Sequence, residues 1–198
     1  MMRRVAVFDF DGTLIEGDSF MPFLSFACGP LAAYATAVEA LGRYALQRLC
    51  NKPTESMRTF VKGFLIKRLL AGRPVASLAT AIEKVRCWMQ PNEAGMRALR
   101  DHKARGDMIV IASGSLDLYL PSLLRDVPYD ALLCTDVDVK DGVIVGDMIN
   151  GNCVRRCKAE RLKAWLEKEG PFDDSYGYGN YPHDLPMLDL VQHRVIVS

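Results

Sequence analysis

Residues 5–14 read Val-Ala-Val-Phe-Asp-Phe-Asp-Gly-Thr-Leu, and this stretch decides how the rest of the chain is interpreted. Its β-branched and apolar beginning predicts a short buried strand. The strand ends at Asp9 and Asp11, and Gly12 lets the backbone turn so that both carboxylates reach one pocket. Buried carboxylates are costly unless positive charge joins them. Mg²⁺ is the natural candidate, because hard cations take carboxylate oxygens. A plain polar turn after a strand is the competing interpretation.

Composition places the chain among ordinary globular proteins. Its 198 residues fit one domain with a modest insertion, and the net charge is only +1. The charge is uneven, with fourteen Lys/Arg against four Asp/Glu over 43–105 and eight Asp against two basic residues over 107–147. Such a basic region either guides an anionic substrate or forms a solvated helical surface, and both interpretations stay open. No sequence motif for nucleic-acid binding accompanies it, so we expect no nucleic-acid partner.

The cysteine pattern and hydropathy favour a cytoplasmic protein. The six cysteines form no CxxC pair, which is typical of a reducing compartment. Strand-like residues begin almost at Met1, so no signal peptide is predicted. The most apolar region, 20–49, is interrupted by Gly29-Pro30 and by charged residues, which makes it a poor membrane span. A peripheral contact with a membrane stays open.

Hydrophobic spacing predicts a run of helices without strands between them. Three helices are expected: the first covers 31–49, the second begins near Thr54 and the third begins at Pro74. In the first of these, one helical face collects the apolar residues Leu31, Tyr34, Val38, Leu41, Ala45 and Leu49. We interpret 17–91 as an inserted helical domain, with 1–16 and 92–198 forming the core. Pro91-Asn92 then begins a further helix that ends at Gly106.

The remaining sequence alternates between strands and helices. Strands are predicted at 108–112, 132–134, 175–178 and 194–197, and a β-hairpin turns at Asp141-Gly142. Helices are predicted from about Leu116 and over 157–169. This order predicts an α/β fold, a Rossmann-like, doubly wound and mostly parallel sheet. Ligands of such sheets bind beyond the carboxyl ends of the strands, where the polar motifs of this chain lie.

Three later segments carry candidate chemistry. Ser113-Gly114-Ser115 follows a strand, and we expect Ser113 to contact phosphate and Ser115 to cap a helix. Lys158 could neutralise charge that builds on a phosphoryl group, although any exposed helix lysine would look the same. Asn180 could give a neutral oxygen to a metal ion, and Asp184 could hold a metal-bound water or Lys158.

Together these segments resemble the four motifs of the haloacid dehalogenase superfamily of phosphohydrolases. The matching pieces, in the family's order, are Asp9-Phe10-Asp11-Gly12-Thr13, Ser113, Lys158, and Gly179-Asn180 with Asp184-Leu185-Pro186-Met187-Leu188. The helical insertion is similar to the small cap of the phosphoserine-phosphatase-like subclass. The fourth motif of the family commonly begins Gly-Asp, whereas this chain has Gly179-Asn180, which supplies oxygen without charge.

The resemblance implies a mechanism. Asp9 would be the nucleophile that forms an aspartyl-phosphate, and Asp11 would be the general acid and then the general base. Mg²⁺ would be held by Asp9, the Asp11 carbonyl and Asn180, with Asp184 behind them. The resemblance also implies phosphate contacts from a second set of residues, namely Thr13, Ser113, Gly114 and Lys158.

The substrate stays open between a small-molecule and a lipid phosphoester. Asp18 stands where phosphoserine phosphatases carry a Glu near the substrate amine, and this resemblance favours phosphoserine. The resemblance places Phe60 where those enzymes carry a carboxylate-binding Arg, and Arg58 falls on another helix face. Apolar cap residues and the closing Gln192-His193-Arg194 resemble lipid-phosphate phosphatases. A phosphotransferase or mutase using the same site, and a non-catalytic phosphate-binding protein, are the alternatives.

Overall fold

The computed structural model of the protein describes residues 3–50 and 56–197. Its strands are β1 (Arg4–Phe8), β2 (Met108–Leu116), β3 (Ala131–Lys140), β4 (Val143–Ile149), β5 (Asp174–Gly179) and β6 (His193–Ile196). Its helices are α1 (Phe20–Cys28), α2 (Pro30–Leu49), α3 (Met57–Leu69), α4 (Ala79–Trp88), α5 (Glu93–Ala104), α6 (Leu120–Leu123), α7 (Arg155–Glu169) and α8 (Leu185–Leu188). A 3₁₀ turn at Val75–Leu78 precedes α4.

The strands of the described residues form one six-stranded sheet in the order β4-β3-β2-β1-β5-β6. β1 pairs in parallel with β2 and β5, β2 pairs in parallel with β3, and β5 pairs in parallel with β6. Only the β3–β4 pairing among these strands is antiparallel, as a hairpin requires. The predicted mostly parallel α/β fold is therefore confirmed.

Contacts within the chain define two compact units. The first comprises Met1–Ser19, Met89–Thr135 and Asn152–Ser198, and the second comprises Phe20–Trp88 and Asp136–Gly151. The core of the first unit buries alternate β1 and β2 side chains against α7 and α8, including Val5, Val110, Leu162 and Leu188. Burial of both sheet faces explains why β1 and β2 read as unbroken apolar runs.

The second unit contains α1 to α4 and the β-hairpin. α3 packs against α2 and β4, and Gly146 of β4 comes so close that an added Cβ would lie 3.2 Å from the Cα of Lys67. The Lys67 ammonium also pairs with Asp147 at 2.7 Å. The hairpin and the helices therefore pack as one body. Thr54, where the second predicted helix was expected to begin, lies outside the described residues.

Several local predictions were wrong. Leu132–Cys134 and the first arm of the hairpin are one strand, β3, because its first half pairs with β2 and its second half with β4. No helix begins at Leu116, since β2 continues to that residue. Ser115 therefore caps no helix. The described residues contain no helix long and apolar enough to cross a membrane.

In α2 the buried side is opposite the large apolar residues. Its buried residues are small, namely Ala33, Thr36 and Ala40. The large apolar side chains face outward, with Leu31 84% and Val38 69% exposed. Small residues allow α1 and α3 to approach closely, so the contact side of α2 is the side with the smaller side chains.

Candidate active site

Parallel register brings three polar strand ends together. Phe8 of β1 lies opposite Ile111 of β2 and Tyr178 of β5. The next residue, Asp9, donates its backbone N–H to the Tyr178 carbonyl at 2.9 Å, so β5 fixes its position. The loops that follow β1, β2 and β5 consequently leave the sheet at the same edge, as expected for a ligand site of a parallel sheet.

Lys158 joins the first and last motifs. It lies in the first turn of α7, and its Nζ donates to Asp9 Oδ1 at 2.7 Å and to Asp184 Oδ1 at 2.6 Å. Asp9, Lys158 and Asp184 are 5%, 3% and 2% exposed, respectively. Gly179 permits the approach of Asp184, because a Cβ there would lie 2.7 Å from the Asp184 Cβ. Lysine and both carboxylates thus form a buried ion triad from distant parts of the chain.

Asn180 spans the gap between the two aspartates of the first motif. Its side-chain amide donates to the Asp11 carbonyl at 3.0 Å and lies 3.5 Å from Asp9 Oδ2. Asp184 Oδ2 accepts the Asn180 backbone N–H at 3.0 Å, which orders this turn. Gly12 has a positive φ of 76°, and a Cβ there would lie 2.9 Å from the Asn180 amide nitrogen. The position therefore needs glycine for both conformation and space.

The Asp11 carboxylate is held by residues that the sequence did not single out for this role. Its Oδ1 accepts the Ser19 N–H at 2.8 Å, and its Oδ2 accepts the Ser115 hydroxyl. The Tyr119 hydroxyl donates to Ser115 Oγ at 3.0 Å, and Ser19 Oγ lies 3.1 Å from both of those oxygens. Both Asp11 oxygens are therefore fixed. Ser113 and Ser115 are two residues apart, so in a strand their side chains point to the same face of the sheet. This spacing is the one sequence signal for the role of Ser115.

The other predicted site residues lie around this group. Ser113 is fully buried, and its Oγ accepts the Ser115 N–H at 3.0 Å. The Gly114 carbonyl accepts the Thr135 hydroxyl at 2.8 Å. Thr13 is fully buried, and its hydroxyl has no hydrogen-bond partner within the described part of the chain. Asp18 is exposed, and its charge is one cause of the raised pKa of Asp11.

The buried charges shift each other's pKa values. Burial raises the pKa of Asp9 to about 7, against the lowering effect of Lys158. Burial also raises the pKa of Asp11, while hydrogen bonds from Ser115 and Ser19 oppose that rise. For Lys158, burial alone would lower the pKa, but Asp9 and Asp184 outweigh it and the pKa rises. One ammonium thus serves two buried carboxylates, and the group carries excess negative charge when both carboxylates are ionised.

This donor set fits a hard divalent cation. A carboxylate oxygen of Asp9, the Asp11 carbonyl and the Asn180 side chain converge, and an amide presents oxygen as readily as nitrogen after a flip. Oxygen donors of this kind, completed by water, suit Mg²⁺. No group of three or more His, Cys, Asp or Glu able to hold a metal ion occurs over 3–50 and 56–197, so the donors would be mixed.

The chain belongs to the haloacid dehalogenase-like hydrolase family, whose profile matches residues 6–189. Protein CicA of Caulobacter vibrioides is 29% identical over 195 residues, covering 96% of this chain and 84% of that protein. A phosphoserine phosphatase of Methanocaldococcus jannaschii is 23% identical over 189 residues, covering 94% and 81%. The predicted family is confirmed, and with it the assignment to the phosphatases of this family.

Solved structures agree on the fold. A Bordetella pertussis protein of unknown function has a TM-score of 0.76 at 24% identity, covering 99% of this chain and 90% of that one. A substrate-bound phosphoserine phosphatase has a TM-score of 0.68 at 18% identity, covering 99% and 86%. At these identities the similarity shows a shared architecture, and it leaves the substrate to the site itself.

Proposed function

We propose that this chain is a Mg²⁺-dependent phosphomonoester hydrolase that works through an aspartyl-phosphate. The observation that carries the proposal is the triad of Asp9, Lys158 and Asp184, with Asp11 held two residues from Asp9. A carboxylate nucleophile needs a nearby cation to approach an anionic phosphate and a nearby acid to release the alcohol. The site contains both.

The reaction divides between the two aspartates. An Asp9 carboxylate oxygen attacks phosphorus, the bond between phosphorus and the ester oxygen breaks, and Asp11 transfers its proton to that oxygen. Water then attacks the acyl phosphate, Asp11 takes the proton of that water, and phosphate leaves with Asp9 regenerated. Burial raises the pKa of Asp11, which favours the protonated form that the first step needs.

The phosphoryl oxygens would be bound by the residues that surround the nucleophile. Lys158 stays cationic in this setting and stabilises the charge that builds on the transferring group. Ser113 and Gly114, at the end of β2, and the hydroxyl of Thr13 supply polar contacts. Ser19 and Ser115 hold the Asp11 carboxylate and thereby orient its proton.

Asp9, the Asp11 carbonyl and Asn180 would hold Mg²⁺, with Asp184 ordering Asn180 from behind. When bound, the ion offsets repulsion between the nucleophile and the phosphate and positions both. Asp9 contributes the one charged ligand of this set. We therefore expect weaker metal affinity than a family member with Asp in place of Asn180 would have.

For the substrate we favour a phosphoester with an apolar body, in the small-molecule or lipid class. In the second unit, which we propose acts as the cap, Phe60 contacts the rings of Tyr44 and Phe64 at centroid distances of 5.6 and 6.3 Å. An aromatic residue offers no bidentate partner for the carboxylate of an amino acid. Phosphoserine remains the second candidate, because relatives carry that name.

The test is phosphate release from p-nitrophenyl phosphate with and without Mg²⁺. Asp9→Asn should abolish release, and Asp11→Asn should lower it by about 10²–10⁴-fold. Asp126→Asn, at a side chain 71% exposed, is the matched control and should behave as wild type. Metal-independent release, or an active Asp9→Asn variant, would refute the mechanism. A non-catalytic binding protein would show no release at all.

A substrate panel then separates the candidate substrates. Phosphoserine, sugar phosphates and phosphatidylglycerophosphate should be compared by kcat/KM, and faster turnover of phosphoserine than of the lipid would exclude the apolar phosphoester. A phosphotransferase or mutase reveals itself when a second sugar phosphate is added, because the product is then a phosphorylated acceptor instead of free phosphate.

A further inference from the structure

The outward face of α2 is apolar along the whole helix. Its large members, which we call the α2 stripe, are Leu31, Tyr34, Val38, Leu41, Leu46 and Leu49, and their exposed fractions run from 45% to 84%. A helix of 20 residues is about 30 Å long, so these side chains form an extended strip of apolar surface. Apolar strips of that extent on a protein surface mark an interaction site.

Rotation of α2 about its axis cannot bury the α2 stripe, because the opposite face is already packed. Ala33 and Ala40, on the opposite face, are fully buried within the second unit, and Thr36 between them is 8% exposed. α2 packs against α1 and α3 through this narrow side. Placing leucines there would overfill the contact, which costs stability in a well-packed interior. The fold therefore fixes the large apolar residues on the outside.

The positive charge of the second unit favours one class of partner for the stripe. The second unit, Phe20–Trp88 with Asp136–Gly151, contains eleven Lys/Arg against seven Asp/Glu, although the whole chain has a net charge of only +1. Two arginines lie in the carboxyl-terminal half of α2 itself, of which Arg43 pairs with Glu39 of the same helix at 2.9 Å and Arg48 lies in the last turn. A second copy docked through the stripe would bring two units of net positive charge together, which like-charge repulsion opposes. An anionic lipid surface offers opposite charge and an apolar layer into which the stripe can insert.

We propose that the α2 stripe adsorbs this protein to anionic membranes, with α2 lying in the plane of the lipid headgroups. Each large side chain of the stripe adds apolar area to the contact, and the net positive charge of the second unit adds attraction that salt weakens. The inference does not depend on the proposed phosphatase activity, because adsorption uses the exposed face of α2 and none of the site residues.

The test measures partition of the full chain onto vesicles by sedimentation. Vesicles of equimolar phosphatidylcholine and phosphatidylglycerol should bind wild type, vesicles of phosphatidylcholine alone should bind it much less, and added salt should release it. Val38→Ser should weaken binding by about fivefold, and combination with Leu31→Ser should weaken it by about 30-fold. Val139→Ser, the same change at a residue of β3 that is 37% exposed, should leave binding unchanged.

Thermal unfolding shows that each variant is folded, so the vesicle result can be interpreted whether or not the protein hydrolyses p-nitrophenyl phosphate. The proposal is overturned if wild type ignores anionic vesicles, or if Val139→Ser lowers binding as much as Val38→Ser. It is also overturned if wild type forms dimers that Val38→Ser dissociates while neither protein binds vesicles. That last result would assign the stripe to a second copy of the chain.

Discussion

Substitution of Gly95 tests whether α5 supports the loop that carries the two aspartates. Gly95 lies in the first turn of α5, and a Cβ there would lie 2.0 Å from the Thr13 carbonyl oxygen and 3.0 Å from its carbon. Ordinary contacts between such atoms are about 3.5 Å, so Gly95→Ala must displace the loop or the helix by more than about 1 Å. Both partners are backbone, and no flexible side chain can move aside.

Two opposing contributions set the magnitude. Alanine favours a helix over glycine by up to about 1 kcal/mol, whereas overpacking of this severity costs about 3 kcal/mol. The net loss of about 2 kcal/mol should lower Tm by about 4–8 °C in a chain of this size. A shift of about 1 Å in the loop of Asp9 and Asp11 should lower kcat by about 10²-fold.

Thermal unfolding and p-nitrophenyl phosphate hydrolysis measure both effects. The matched control is Gly42→Ala, within α2, where an added Cβ has nothing within 4 Å. Gly42→Ala should raise the free energy of unfolding by about 0.5–1 kcal/mol and leave kcat unchanged. The reasoning fails if Gly95→Ala matches Gly42→Ala in both measurements, because the contact with Thr13 would then carry no constraint.

Three further predictions concern the buried charges. Lys158→Met leaves Asp9 and Asp184 buried without a cation, so urea unfolding at pH 8 should show a loss of about 3–5 kcal/mol. Burial raises the pKa of Asp9 from 3.8 to about 7, so folding favours the protonated form of Asp9. The free energy of unfolding of the metal-free wild type should therefore fall, relative to that of Asp9→Asn, as pH rises from about 4 to about 7. Parallel curves of unfolding free energy against pH for the two proteins would contradict this prediction. Ser115→Ala should lower kcat about tenfold with little change in KM, because Asp11 loses a donor, whereas Ser115→Thr should restore most of kcat.

Predictions from the sequence succeeded where local pattern and global fold impose the same demand. The apolar runs before Asp9 and Ser113 must be buried on both faces, so they are recognisable as parallel strands. Asn92 caps α5 with its side chain, accepting the N–H groups of Ala94 and Gly95, as the Pro-Asn start signal indicated. Asp9 follows β1 directly, so its place at this edge of the sheet was predictable from topology. Lys158 lies in the first turn of α7, 149 positions away, and its place beside Asp9 was expected only from the resemblance to the family.

The sequence alone did not decide which face of α2 is buried. In α2 the apolar periodicity is real, but periodicity does not say whether large or small residues make the contact. The close packing of Ala33, Thr36 and Ala40 depends on the positions of α1 and α3, which no pattern within α2 encodes. Ser19 was not predicted as a site residue either. Its N–H binds Asp11 across a turn that contains Gly17 at a positive φ, and no sequence motif marks that contact.

The charge balance of the site links its stability to its function. Lys158 can neutralise only one of the two carboxylates that it contacts. Among the contacts that the structure describes for Asp9 and Asp184, no second cation lies within hydrogen-bond distance. Asp9 is consequently costly to keep ionised, as its raised pKa shows. A divalent cation bound at Asn180 and the Asp11 carbonyl would remove that cost and lower the pKa of Asp9. The same carboxylate that weakens the metal-free fold would therefore strengthen metal binding, and asparagine in place of aspartate at residue 180 keeps the excess of negative charge from growing further.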